Sequence, residues 1–224
     1  MHAGAGPGYA PQMTQTLMHT DFGGLAVAYD DRVLEPRAWT VAQSRWAEDL
    51  LRTAPPGPVL ELCAGVGHIG LRAVAHRRRN LVMVDLDEHA CELARANVLA
   101  NRPLGVVDVR QGRLDQVLRP GELFSGIIAD PPWVPSHDVR RFPRDPLRAI
   151  DGGRDGLDVA RQCVRVIDAH LTSYGWALLQ LGTPAQARDL AVGLASARDL
   201  DLDVVEIRTY GDRGVLVRLG RRDG

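Results

Sequence analysis

The feature that most constrains this chain is a regular exchange of short β-branched runs with longer helical ones, which begins after Thr53-Ala-Pro-Pro-Gly-Pro58. Strands are expected at Val59–Cys63, Leu81–Val84, Val106–Arg110, Phe124–Ala129 and Trp176–Leu181. Helices are expected at Gly67–Ala75, Glu88–Ala100, Asp155–Leu171 and Pro184–Ala197. Alternation at this spacing predicts an α/β domain, a parallel sheet covered by helices on both faces. The end of the chain departs from the pattern. Asp203–Arg208 and Gly214–Leu219 are β-branched runs joined by Thr-Tyr-Gly-Asp-Arg, which predicts an antiparallel hairpin.

Ahead of the alternating region, residues 1–20 are rich in Gly, Ala and Pro without hydrophobic periodicity and are expected to form a flexible tail. Residues 21–55 form a lead-in or cap, in which Trp46, Leu50 and Leu51 mark an amphipathic helix, and residues 56–224 form the main domain. A length of 224 residues suits one domain with a short extension. No run approaches about 18 consecutive apolar residues, and the first residues lack the basic start and apolar core of a signal peptide. A cytoplasmic protein without a membrane span is therefore expected. The formal charge is −1 and every basic residue is an arginine, a balance that argues against a general nucleic-acid coat protein but not against a local basic patch. Cys63, Cys91 and Cys163 form no CxxC pair, so neither structural zinc nor a disulfide framework is expected.

The first strand runs into Glu61-Leu-Cys-Ala-Gly65-Val-Gly67-His-Ile-Gly70. Glycines in such a turn let the backbone reverse sharply, approach a ligand closely and start a helix whose N–H groups face it. Asp85 ends the second strand, well placed for a ribose hydroxyl. Taken literally, Gly65-x-Gly67-x-x-Gly70 with Asp85 fits a dinucleotide fingerprint, and an NAD-dependent oxidoreductase is one reading. Two features favour S-adenosylmethionine instead. Glu61 would repel a pyrophosphate but suit the ammonium of the methionine part. The antiparallel closing hairpin is the second, since dinucleotide folds usually finish with parallel strands.

The fourth strand ends in Ala129-Asp130-Pro131-Pro132-Trp133, which the topology of an open α/β sheet should bring beside the Gly65 turn. Two prolines fix the backbone and remove two N–H donors, leaving carbonyls beside a carboxylate. A set of acceptors alone suits an –NH2 group gripped by both hydrogens, and Trp133 can stack on a planar acceptor. Methyl transfer is a displacement that needs alignment, so holding the nitrogen in line contributes much of the catalysis.

With these motifs in view, the chain resembles the class I S-adenosylmethionine-dependent methyltransferases of the HemK/PrmC type, which methylate a glutamine side-chain nitrogen in release factors. The resemblance covers roughly residues 22–219. It includes Phe22-Gly-Gly, Val33-Leu-Glu-Pro-Arg-Ala-Trp-Thr40, the Glu61–Gly67 turn, Asp85, and Ala94 with Asn97. It continues through Asp130-Pro-Pro-Trp133, Gly152-Gly-Arg-Asp-Gly-Leu-Asp158 and Tyr210-Gly-Asp-Arg-Gly214. The implied fold is Rossmann-like, a seven-stranded mostly parallel sheet with the antiparallel C-terminal hairpin. The implied cofactor-binding residues are Glu61, Cys63, Ala64, Gly65, Gly67, Asp85, Leu86, Gly112, Arg113 and Asp130, and the implied catalytic residues are Asp130, Pro131, Pro132 and Trp133. No metal is implied.

Departures from the family pattern matter. Cys63 stands where a glycine is usual, so its backbone is expected to avoid positive φ. Arg113 replaces an acidic residue, which leaves adenine recognition to backbone groups and stacking. About twenty loose residues stand where the bacterial release-factor enzymes carry a helical N-terminal domain. The sharpest departure is Asp130 in place of asparagine. Asparagine accepts from an amide –NH2 and donates to its carbonyl, whereas an ionised Asp130 only accepts. Asp-Pro-Pro-aromatic motifs resemble those of enzymes that methylate exocyclic amines of nucleic-acid bases. The acceptor is therefore read as a protein glutamine, with a base or a small-molecule amine as the alternatives and a non-catalytic binding scaffold as a further one.

The remaining polar features carry weaker signals. His76-Arg-Arg-Arg79 suits the end of a helix dipole, and Asn97 is a buried polar partner. The loop His137–Arg148 is basic and open to either a phosphate-contacting or a merely solvated role. His68 is expected at or beside the ligand, and His137 receives no catalytic role.

Overall fold

The computed structural model describes residues 16–222. It opens on a hairpin of β1 (Met18–Phe22) and β2 (Leu25–Tyr29), followed by α1 (Val41–Leu50). The alternating region then runs β3 (Val59–Leu62), α2 (His68–Val74), β4 (Leu81–Asp85), α3 (Glu88–Asn101), β5 (Val107–Gln111) and β6 (Phe124–Ala129). After a long loop come α4 (Leu147–Ile150), α5 (Asp158–His170), β7 (Leu171–Leu181), α6 (Pro184–Ser196), β8 (Leu202–Thr209) and β9 (Val215–Arg221). The main sheet has the order β5-β4-β3-β6-β7-β9-β8. Its first five strands pair in parallel, and β9 lies antiparallel to both β7 and β8. The expected sheet and closing hairpin both form.

Sequence chemistry explains most boundaries. Every residue of β3 and β6 is buried, as befits central strands covered on both faces. Asp87 caps α3 by accepting from the Ala90 N–H at 3.0 Å. Thr183 and Gln186 form a reciprocal capping box at α6, with Pro184 in its first turn. Two starts differ from expectation by more than one residue. Helix α5 begins at Asp158 and not at Asp155, because the Asp155 carboxylate accepts from the Leu157 N–H and holds a turn there. Strand β7 begins at Leu171 and not at Trp176, directly after α5.

The apolar core lies in two layers. Leu60, Leu62, Ile127 and Ala129 pack under α5 and α6, while Val59, Met83, Ile128 and Leu178 pack under α1, α2 and α3. The lead-in residues Phe22, Val27, Tyr29, Trp46 and Leu51 belong to that second layer. The tail expected over residues 1–20 is thus corrected at its end: Met18–Thr20 form strand β1, and residues 1–15 lie outside the described residues. Asn97 on α3 anchors the hairpin. Its Oδ1 accepts from the Ala28 N–H at 2.8 Å, and its Nδ2 donates to the carbonyls of Ala28 and Val66 at 3.0 Å each. The strand order reverses between β3 and β6, which opens a crevice at their carboxyl ends.

Candidate active site

A cavity of about 730 Å³ fills that crevice, within the roughly 300–1,000 Å³ common for small-molecule sites. Of the residues expected from sequence, Cys63, Ala64, Gly65, Asp85, Leu86, Arg113, Asp130 and Pro132 line it. Glu61, Gly67, Gly112, Pro131 and Trp133 do not.

At one end stands the glycine turn. The Gly65 N–H donates to Asp85 Oδ2 at 2.7 Å, and the Asp87 N–H donates to Asp85 Oδ1 at 2.9 Å. Gly65 has φ 52°, and a Cβ there would meet nothing within 4 Å, so the turn presents bare backbone to open space. Leu86 is 51% exposed beside it, an apolar side chain left for a flat ligand to cover. Gly67 is required for a different reason. Its φ is 78°, and a Cβ would stand 2.8 Å from the Met83 sulfur, so this glycine packs the turn onto the sheet. The Gly112 N–H donates to the Asp85 carbonyl at 2.9 Å and ties β5 to β4. Arg113 is exposed and forks to Asp115 at 3.1 and 3.2 Å.

Two expectations at this end are corrected. Cys63 has φ 55°, in the left-handed region it was expected to avoid. The sharp reversal after β3 needs that conformation whichever residue supplies it, at a cost of about 1–2 kcal/mol for a side chain with a Cβ. Glu61, expected near a ligand ammonium, does not line the cavity. Its Oε1 accepts from the Gly70 N–H at 2.9 Å, so it underpins the first turn of α2. Its Oε2 has no partner among the described residues, and burial raises its pKa to about 8. His68 lies edge-on to Phe22, with ring centroids 4.6 Å apart, and burial lowers its pKa to about 4, so it lines the wall as a neutral ring.

At the other end stands Asp130. Gln43, buried on α1, donates through Nε2 to the carbonyls of Ala129 at 3.0 Å and Leu178 at 3.2 Å, fixing the end of β6. Among the described residues the Asp130 carboxyl has no hydrogen-bond or ion-pair partner, and burial raises its pKa to about 7. Pro132 reaches the cavity and Pro131 is buried behind it. Trp133, expected to stack on the acceptor, faces the other way. Its ring lies against Gly182, and it lines a separate cleft of about 390 Å³ with Phe142 and Gln186. The Gly152–Asp158 stretch makes that possible. A Cβ on Gly156 would collide with the Trp133 carbonyl, and one on Gly152 would stand 2.6 Å from the Pro132 carbonyl. These glycines let the loop lie directly on the proline pair.

Sequence reasoning assigned no chemistry to the roof. Val33, Leu34, Glu35 and Thr40 line the cavity from the lead-in, Asp151 from the far loop, and Asp158 and Gln162 from α5. Arg37 joins the two segments by donating to both oxygens of Asp145, at 2.7 and 2.8 Å. The available signal was the Val33–Thr40 and Gly152–Asp158 motifs, which matched a family pattern without a function attached. The remaining polar features are structural. Arg79 donates to the carbonyls of Pro55, Gly57 and Ala54, at 2.7, 3.2 and 3.0 Å, and clamps the segment before β3.

Comparison with known proteins bears on this geometry. Residues 46–144 match the methyltransferase small domain. The release factor glutamine methyltransferase of Deinococcus radiodurans is 34% identical over 183 residues, covering 79% of this chain and 64% of the relative. The ribosomal protein uL3 glutamine methyltransferase of Francisella tularensis is 28% identical over 177 residues, covering 74% and 55%. The chain is similar in sequence to methyltransferases. It spans little more than half the length of several of these relatives. Among solved structures, the ribosomal protein L11 methylase of Lactobacillus delbrueckii superposes with a TM-score of 0.61 at 15% identity, over 87% of this chain and 84% of that one. These similarities favour a methyltransferase over the oxidoreductase reading of the glycine turn. No helix among the described residues is long and apolar enough to cross a membrane, and no cluster among them has the makings of a metal site.

Proposed function

We propose that this methyltransferase transfers a methyl group from S-adenosylmethionine to a side-chain nitrogen, with a protein glutamine as the acceptor. The observation that carries this is one cavity with two unlike ends, a bare-backbone turn beside Asp85 and an unpartnered carboxyl at Asp130. The donor set fits the cofactor. Each Asp85 oxygen accepts one backbone N–H and keeps a lone pair for a ribose hydroxyl, Leu86 offers an apolar surface to adenine, and Gly65 leaves room for the chain between. When bound, S-adenosylmethionine supplies an electrophilic methyl on its sulfonium. The protein's part is to hold the nitrogen in line and exclude water. Asp130 accepts from the acceptor N–H, Gln43 keeps its strand end in register, and the lead-in covers the site.

Sequence kinship supports glutamine, since the relatives are named as glutamine methyltransferases. One observation favours a second reading, an exocyclic amine of a base or small molecule: Asp130 stands in place of asparagine. Labelled methyl transfer into a cell extract split into protein, RNA, DNA and small molecules tests both, with Asp130→Ala protein as the blank. Label on a protein glutamine supports the first reading. Label in nucleic acid or a metabolite, absent with the variant, replaces it with the second.

A further inference from the structure

The Asp130 carboxyl is held in an unusual setting for an acid with no partner. Its backbone is fixed by the Gln43 bond to Ala129, by its own N–H donating to the Leu62 carbonyl at 3.4 Å, and by the two prolines that follow. Glu61 lies on the neighbouring strand β3, in register with Ile128, and Asp85 ends β4 one strand further. No cation is paired with any of these three carboxyls among the described residues. Desolvation and the repulsion between Glu61, Asp130 and Asp85 both oppose a second negative charge here.

Carboxamide recognition sets a matching demand. A glutamine side chain offers N–H donors on one side and a carbonyl acceptor on the other. Asparagine complements that pair, and an ionised carboxylate does not, because it turns a charged oxygen toward the carbonyl. A neutral carboxylic acid complements it as asparagine does, with an O–H donor and a carbonyl acceptor on adjacent oxygens. We propose that Asp130 takes its glutamine acceptor as the neutral acid, its hydroxyl donating to the carboxamide carbonyl while its other oxygen accepts from the amide N–H. This rests on the glutamine reading given above. Asp130 keeps its proton through the turnover. The proton released on methylation comes from the amide nitrogen and leaves to solvent. Ionisation removes the donor and turns the same site toward acceptors that present N–H groups alone.

The other ionisable groups around the cavity do not mimic this behaviour. On the turn side, His68 is already neutral above about pH 4, and the contact with Cys163 together with burial pushes the Cys63 thiol up. Asp85 has both oxygens bonded to backbone, and Arg113 stays charged beside Asp115. On the roof side, Asp151 is held below the usual carboxylate range by Ser136 and the Gly153 N–H. Arg37 is held by Asp145, Arg148 lies 4.0 Å from Asp87, and Glu35 accepts from Tyr29. Arg32 and Asp158 complete the ionisable lining, Asp158 3.2 Å from Arg161. Glu61 titrates at about 8 behind the wall, and its ionisation opposes that of Asp130 in turn.

The test compares the wild type with Asp130→Asn on the full chain, using the glutamine-bearing protein labelled in the fractionation above. Asparagine keeps the donor–acceptor pair at every pH, so the ratio of kcat/KM, wild type over variant, should fall roughly 100-fold between about pH 6 and about pH 9, as the neutral fraction of an acid near 7 falls. Infrared difference spectra of the two proteins should also show a protonated carboxyl band at about pH 6 that is absent from the variant and fades as pH rises. A ratio that is flat or rises with pH, or an absent band, overturns the proposal while leaving glutamine transfer standing. Failure to find label on any glutamine in either protein overturns the glutamine reading and this proposal with it.

Discussion

The two ends of the cavity treat their carboxylates in opposite ways. Asp85 is bonded at both oxygens by backbone N–H groups of the turn and of the chain beyond β4, so its orientation is set before any ligand arrives. Asp130 has its backbone fixed as firmly, by Gln43 and the proline pair, but its carboxyl has no partner among the described residues. The first arrangement suits a ligand that is the same in every turnover. The second leaves donor and acceptor capacity for a group that is brought in and altered.

Three substitutions sharpen that contrast. Asp85→Ala removes the acceptor for two backbone N–H groups and for the ribose together. Bonds to a charged group contribute about 1.5–3 kcal/mol each, so cofactor affinity should fall roughly 100-fold or more by calorimetric titration. Retained affinity would break the assignment of this end. Gly67→Ala comes next, because it adds a Cβ at φ 78° and 2.8 Å from the Met83 sulfur. Urea unfolding should show a loss of about 2–3 kcal/mol, from the backbone strain and the overpacking together. A pH-dependent effect concerns Glu61, whose pKa of about 8 in the folded state exceeds its ordinary value of 4.5. The folded state binds that proton more tightly, so the contribution of Glu61 favours folding at low pH and declines as pH rises from about 4.5 to about 8. The Tm of the wild type, relative to Glu61→Gln, should therefore fall over that interval. A constant difference would mean that water reaches this side chain.

What the sequence made legible was whatever local pattern enforces. The continuous apolar runs of β3 and β6, the Asp87 cap and the Thr183-Pro-Ala-Gln186 box each determine their elements from within a few residues. The topology rule then brought Asp130 to the same crevice as Gly65. What stayed hidden depends on distant partners. Strand β1 is largely exposed and shows no apolar alternation; Asn97, from α3, anchors its partner strand. Trp133 turns from the cavity because Gly182 and Gly156, on separate segments, leave space for its ring and carbonyl. Glu61 is held instead by the Gly70 N–H in the first turn of α2. The Arg37–Asp145 fork that closes the roof spans 108 residues, beyond the reach of any local motif.

The division of labour between the two ends is tested most directly by measuring cofactor affinity and single-turnover methyl transfer on one preparation of Asp130→Ala. The account predicts transfer reduced by roughly 10²–10³-fold or more, as for loss of a group that acts on the reacting atoms, with the dissociation constant for S-adenosylmethionine changed only a few-fold. Parallel loss of affinity and transfer would contradict it, because Asp130 would then belong to the cofactor's end of the cavity.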